Sequence, residues 1–295
     1  MQPHHNKKTH PADAVYTYHD PYDGKLTQVL FDFKSLAAKS ISVGGIVSAL
    51  KSLALSLDCA MVSDSFTEHF PVPHDEDKKV IACLFVYNHD HAYTKNLNNQ
   101  IANNIKEDWP KLKSHSEIII LDPETLIYLN SIQIDYWATK GQKNIPDNAV
   151  GFFQPDHQLQ YHRRSCSNRY GSPLMLEQLV APFHVIRFGI DQAGKEGYIL
   201  YYRGKGESSD EFIHLIDYLF TYQVMDSAST ITFKLPNATN ISHPNFQKSK
   251  KEYAEMVAPN SSVAKMILER LSIIDMMSIS IIKPQFFESE LGMRS

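Results

Sequence analysis

Residues 11–34 read PADAVYTYHDPYDGKLTQVLFDFK. Within them, 14–20 (AVYTYHD) and 26–33 (LTQVLFDF) are rich in β-branched and aromatic residues, as strands are. The PYDG between them, 21–24, consists of turn formers, so a hairpin is predicted. Side chains alternate faces along a strand. Asp32 and Lys34 therefore share a face with Gln28 and Leu30, while Val29, Phe31 and Phe33 offer a core face. If PYDG is a four-residue turn, Asp20 pairs with Lys25 and, counting outward in step, Asp13 falls opposite Asp32. A two-residue turn at Asp23-Gly24 pairs Asp13 with Lys34 instead and keeps all three on one face. An odd-numbered loop separates them.

Directly opposed side chains have Cβ atoms ~4.5–5.5 Å apart. Two carboxylates that close repel unless one is protonated or a cation lies between them. A divalent ion with oxygen ligands resolves the conflict, and Mg²⁺ prefers one or two carboxylates completed by water and phosphate. Lys34, ~6–7 Å further along the strand, is placed to orient a water or to neutralise developing phosphate charge.

Beyond the hairpin the apolar period changes. Val43, Ile46, Val47, Leu50, Leu53, Ala54 and Leu57 fall on one helical face, with Lys51 beside the stripe and able to reach a nearby site. Residues 62–78 read as a polar loop. KVIACLFVY, 79–87, is a continuous apolar run of the kind found in strands covered on both faces. A helical stripe spans 95–109, and EIIIL, 117–121, is a second buried strand. Asp122 then caps a helix with Pro123 at its first position. The order β-β-α-β-α-β-α, a hairpin followed by crossovers, favours parallel pairing after the first pair. Residues 136–172 have weak periodicity and read as a connector. A second α/β unit comes next: strands 183–189 and 197–203, helix 208–223, strand 229–234, two helices over about 245–271 and strand 272–282. No motif recurs between the halves.

Among known families, the hairpin and the elements after it resemble the PD-(D/E)xK nuclease superfamily. Its pattern is an acid opening one strand, a hairpin, (D/E)-x-K on the next strand, then a helix, a buried strand and a helix–strand pair. Here these read Asp13, the 14–33 hairpin, Asp32-Phe33-Lys34, helix 43–57, strand 79–87, helix 95–109 and strand 117–121. The resemblance covers roughly residues 11–132. It implies metal-dependent phosphodiester hydrolysis, with Asp13 and Asp32 as metal ligands, Asp13, Asp32 and Lys34 as the catalytic set, and Mg²⁺ (or Mn²⁺) as cofactor. The first acid stands in PAD rather than PD, and no Glu precedes it, which favours one ion over two. D-G-K at 23–25, E-D-K at 76–78 and D-K-K at 77–79 match the tripeptide too, but only 32–34 ends an apolar strand with an acid upstream in register.

Other features weigh less. YHRRSCSNRYG, 161–171, sets His162, Arg163, Arg164 and Arg169 between Tyr161 and Tyr170. That mixture suits phosphate contact with base stacking, and equally a solvated loop or a protein contact. His89, Asp90 and His91 follow a buried strand but lack a third distant metal ligand. RGKGESSD, 203–210, lacks the order of a phosphate loop and reads as a turn and helix cap. The Met-rich end of the last strand reads as core or a subunit contact.

The chain has 295 residues, 43% hydrophobic and 21% charged, with net charge −4, so a nucleic-acid site has to be a local patch or be completed by a partner. Three scattered cysteines argue for a reducing compartment and against a zinc site. The first ten residues lack a signal-type apolar stretch, and no apolar run approaching ~18 residues is read. The expected fold is α/β: a restriction-endonuclease-like mixed sheet flanked by helices (1–135), a connector with the basic/aromatic patch (136–172) and a second α/β domain for substrate or subunit contact (173–295). The expected function is a cytoplasmic metal-dependent nuclease. It acts on nucleic acid, DNA ahead of RNA, with Lys51, His162, Arg163, Arg164, Arg169 and Tyr170 as contacts. It has a protein partner or a second copy of itself, no membrane association, and a place in defence, restriction or repair. The rival expectation is an inactive nuclease-fold protein serving as an assembly or sensor subunit.

Overall fold

The computed structural model describes residues 12–20, 25–73, 78–104, 117–142, 150–153, 170–171, 175–190, 196–259 and 262–286. In chain order these give β1 (Ala14–His19), β2 (Leu26–Leu36), α1 (Val43–Ala60), α2 (Asp64–His69), β3 (Lys78–Asn88), α3 (Leu97–Ala102), β4 (Ile118–Leu121) and α4 (Pro123–Gln142). Then come β5 (Val150–Phe153), β6 (Tyr170–Gly171), α5 (Leu176–Leu179), β7 (Phe183–Ile190), β8 (Glu196–Tyr202), α6 (Ser209–Thr221) and α7 (Val224–Ser227). The series ends with β9 (Ala228–Leu235), α8 (Ser242–Val257), α9 (Ser262–Arg270) and β10 (Ile274–Ser278).

Two units result. The first comprises 1–127, 174–180 and 283–295, and the second 128–173 and 181–282. The sequence puts the break at 135/136 and assigns 173–295 entirely to the second domain. In the structure the division falls inside α4, and two later segments belong to the first unit.

In the first unit β1 pairs antiparallel with β2, β2 parallel with β3 and β3 parallel with β4, in the order β1-β2-β3-β4. This is the mixed α/β sheet that the element order predicts. Both sheet faces are covered. Leu30 of β2 and Val80, Ala82, Leu84 and Val86 of β3 pack under Ile46, Leu50, Leu53 and Leu57 of α1 and Leu97 and Ile101 of α3. Val29, Ile81, Cys83 and Leu121 face the other way, onto Leu126 and Leu176. Each fully buried Leu or Ile side chain stabilises the fold by ~1.5–3 kcal/mol relative to exposure, which is why β3 reads as an unbroken apolar run. Cys83 is a core residue, and burial pushes its thiol up to about 12. Chain from far downstream completes this face. Phe286 stacks edge-on against Phe85 and Tyr87, and the Tyr87 hydroxyl donates to the Pro284 carbonyl at 3.1 Å.

Residues 43–60 form a helix of mean hydropathy 1.4, long and apolar enough to cross a membrane by length and composition, which corrects the reading that no such run exists. Its stripe of Ile46, Leu50, Leu53 and Leu57 is buried in the core of the first unit. Three element boundaries also differ from expectation. The loop read over 62–78 contains α2, because the Ser63 hydroxyl accepts from the Phe66 N–H (3.2 Å) and starts a helix. The helix after Asp122 continues to Gln142, into the span read as connector. The last strand is shorter than 272–282, ending at Ser278.

The second unit has a six-stranded sheet in the order β10-β9-β8-β7-β5-β6. One face (Tyr198, Leu200, Ile231, Phe233, Leu235) packs on Phe212, Leu215 and Leu219 of α6 and on Phe246 and Tyr253 of α8. The other (Ile186, Phe188, Ile199, Tyr201) meets Tyr128 and Ile132 of α4. On that second face Lys234 is buried, with its ammonium 2.6 Å from Asp135 and 2.7 Å from the Thr139 hydroxyl, and the Tyr201 hydroxyl donates to the same Asp135 carboxylate.

Candidate active site

The hairpin closes in the four-residue-turn register. Ladder pairs run from His19↔Leu26 to Ala14↔Phe31, and the Asp20 N–H donates to the Lys25 carbonyl at 2.9 Å. The two-residue-turn alternative is thereby excluded. β2 outruns β1: it continues through Asp32, Phe33 and Lys34 to Leu36, held there by β3 (Asp32↔Leu84, Lys34↔Val86).

Asp13 stands where the β1–β2 ladder stops. Its N–H donates to the Phe31 carbonyl (2.9 Å), and its Oδ2 accepts from the Phe33 N–H (2.7 Å). The carboxylate thus takes the place of the next backbone acceptor, and the last regular pair is Ala14↔Phe31 rather than Asp13↔Asp32. Asp13 is fixed beside the amide of the residue that follows Asp32. Lys34 folds back along its strand to pair with Asp32 Oδ1. Each carboxylate therefore has a donor on one oxygen, the Phe33 N–H for Asp13 and the Lys34 ammonium for Asp32. Asp32 and Lys34 keep 20% and 37% of their side-chain surface exposed, so solvent and a ligand can reach them.

These groups lie toward the carboxyl ends of the parallel strands β2 and β3, where open α/β sheets bind ligands. The connection leaving β2 is anchored by Asp90. Both of its oxygens accept from the Ala38 N–H (3.0 Å each), Oδ1 also accepts from the Ala92 N–H (3.2 Å), and the Asn88 amide reaches it as well. Burial works against its charge, but these hydrogen bonds and nearby His89 outweigh it and hold the carboxyl below its usual range. His89 Nδ1 lies 3.3 Å from the Ser35 hydroxyl. The His-Asp-His sequence therefore shapes the loop beside the site. Sequence reasoning missed this role for Asp90, although an acid flanked by Asn88 and the turn residue His91 (φ 53°) is its signal.

Among the described residues no group of three His, Cys, Asp or Glu side chains converges on a metal position. Two carboxylates, were they to act as donors, would suit a hard cation that completes its shell with water and phosphate oxygens better than a metal caged by protein. Lys51 is half-buried on α1, next to Leu50 of the core stripe. His162, Arg163, Arg164 and Arg169 lie outside the described residues. Tyr170 is in β6, with only its backbone described. RGKGESSD forms the turn and N-cap of α6, with Ser208 and Glu211 in a capping box.

Residues 1–125 match the family model described as the GAPS4 protein PD-(D/E)XK nuclease domain. No curated protein and no solved structure gives a significant match. PD-(D/E)XK nucleases generally use divalent metals, and a nuclease domain implies a nucleic-acid substrate. The family match, the hairpin-first mixed sheet and the acid-and-lysine pattern at its strand ends agree. Residues 1–125 are a domain of the PD-(D/E)xK nuclease superfamily.

Proposed function

We propose that the chain is a metal-dependent nuclease that hydrolyses phosphodiester bonds, DNA ahead of RNA, in the cytoplasm. The observation that supports this best is the placement of Asp13 on the Phe33 amide, one residue from the Asp32–Lys34 pair. Asp13 and Asp32 would hold one divalent ion, Mg²⁺ with Mn²⁺ as a substitute. A bound ion of this kind polarises a phosphoryl oxygen and makes water a stronger nucleophile at neutral pH. The Phe33 amide and the ladder end keep Asp13 from swinging away. Lys34 has an ammonium that can stay on Asp32 or turn to the scissile phosphate, where it would orient the water and offset the charge that builds up in the transition state. Lys51 and the basic segment of His162, Arg163, Arg164, Arg169 and Tyr170 are proposed as contacts to the nucleic-acid backbone and bases. A protein partner or second copy would compensate for the net charge of −4, and a role in defence, restriction or repair fits such an assembly.

Purified protein is incubated with plasmid, linear DNA and RNA, in Mg²⁺, Mn²⁺ or EDTA. Cleavage is expected with either metal and not in EDTA, and Asp32→Ala or Lys34→Ala should slow it by about a hundredfold or more. Equal activity in wild type and both variants would sink the assignment. If wild type binds nucleic acid without cutting it, the rival role of a non-hydrolytic assembly or sensor subunit takes its place.

A further inference from the structure

The second unit repeats the core of the first. In the first, the antiparallel hairpin β1–β2 leads through α1 to β3, parallel to β2, and through α3 to β4, parallel to β3. In the second, the antiparallel hairpin β7–β8 leads through α6 to β9, parallel to β8, and through α8 and α9 to β10, parallel to β9. Strand order agrees: β1-β2-β3-β4 beside β7-β8-β9-β10, with β5 and β6 added beyond β7. In each unit the crossover helices share one face, α1 with α3 and α6 with α8. That shared face is a result of right-handed crossovers advancing in one direction. The hairpin-first order does not come from handedness, and it is the independent part of the match.

The repeat can be read residue by residue. β4 joins its sheet at Ala82↔Ile118, and β10 joins at Ile231↔Ile274. With Ala82 set on Ile231, Leu30 corresponds to Tyr198, since each is the β-partner of that residue. Asp32 then corresponds to Leu200 and Lys34 to Tyr202. Asp13 corresponds to Val185, the partner of Leu200. Leu200 and Val185 are 0% and 3% exposed and belong to the core under α6. Sliding two residues along β8 keeps the helix-facing side and gives Tyr202, Gly204 and Phe183 instead. Neither register supplies a carboxylate.

We infer that the second unit is a second copy of the nuclease-fold core whose acidic positions are filled by packed apolar side chains, so that each chain holds one hydrolytic centre and one non-catalytic copy. The one-centre clause rests on the proposed function, and the copy itself does not. One centre cuts one strand at a time, so breaking both strands of a duplex takes two chains or two successive cuts.

Two measurements on the full chain decide it. In a Cys59→Ser, Cys83→Ala, Cys166→Ser background, the pair Thr232→Cys/Asp275→Cys occupies neighbouring positions of β9 and β10. A short bis-maleimide should link that pair within one chain, as read by peptide mass mapping. Thr230→Cys/Ser278→Cys should stay unlinked, because Ser278 pairs with Leu235, five residues or ~16 Å along the strand from Thr230. Linkage of Thr230→Cys/Ser278→Cys would mean an antiparallel β10 and would overturn the copy. On supercoiled plasmid, the Asp13→Asn/Asp32→Asn chain should lose all metal-dependent cleavage, and residual cleavage would overturn the one-centre clause. An inert wild type would overturn the hydrolytic reading, one-centre clause included, while the cross-link still decides the copy.

Discussion

At the scale of residues, Asp90 shows how a metal-like tripeptide can serve structure. Its carboxylate gathers the Ala38 and Ala92 N–H groups and the Asn88 amide, fixing the chain as it leaves β2. Because the folded state holds this carboxyl below its ordinary value, its stabilising effect is fully present above the unfolded value of about 4 and is lost as pH falls through the lower folded value. Urea midpoints of wild type and Asp90→Asn should therefore differ most near pH 6 and converge toward pH 3. A constant gap would show that charge plays no part. The acids and the lysine of the candidate site were legible in the sequence, because Asp32 and Lys34 end an apolar strand and PYDG has the length that brings Asp13 alongside. What could not be read was where pairing stops. Residue types set the register, but whether the last pair closes through backbone or through a carboxylate depends on local geometry at Ala14 and Phe31.

At the scale of elements, the start of α6 is the best-built cap among the described helices. Glu211 accepts from the N–H groups of Gly206, Glu207 and Ser208 and from the Tyr202 hydroxyl, while Ser208 accepts from the Glu211 N–H. Gly206 is needed there, since its φ is +68° and a Cβ would sit 2.5 Å from the Phe212 ring. Ser208→Ala should cost about 1 kcal/mol by chemical denaturation, and Glu211→Ala more, because four donors lose one acceptor together. If Glu211→Ala costs less than Ser208→Ala, the reciprocal cap is not the dominant contact. The same logic explains which elements the sequence revealed. β1 to β4, α1 and β7 to β9 carry clear periods or unbroken apolar runs. Helix α2 escaped notice, being one short stretch whose signal, Ser63 three residues before Phe66, is buried in polar sequence.

At the scale of the molecule, each unit has cores of its own, and the first is completed by residues 283–286. Phe286 covers Phe85 and Tyr87, and its N–H donates to the Tyr87 hydroxyl at 3.4 Å. Phe286→Ala should destabilise the nuclease unit by about 1–2 kcal/mol, as expected for half-burial of an aromatic ring, and exchange protection should fall first along β3. Unchanged protection in β3 would show that the late segment lends it no stability. The same contact bears on biosynthesis. Domains tend to fold in order as they leave the ribosome, but here the whole second unit must be translated before Pro284 and Phe286 exist. The nuclease unit therefore reaches its full packing only after the second unit has been translated, which delays the proposed hydrolase until that unit is present.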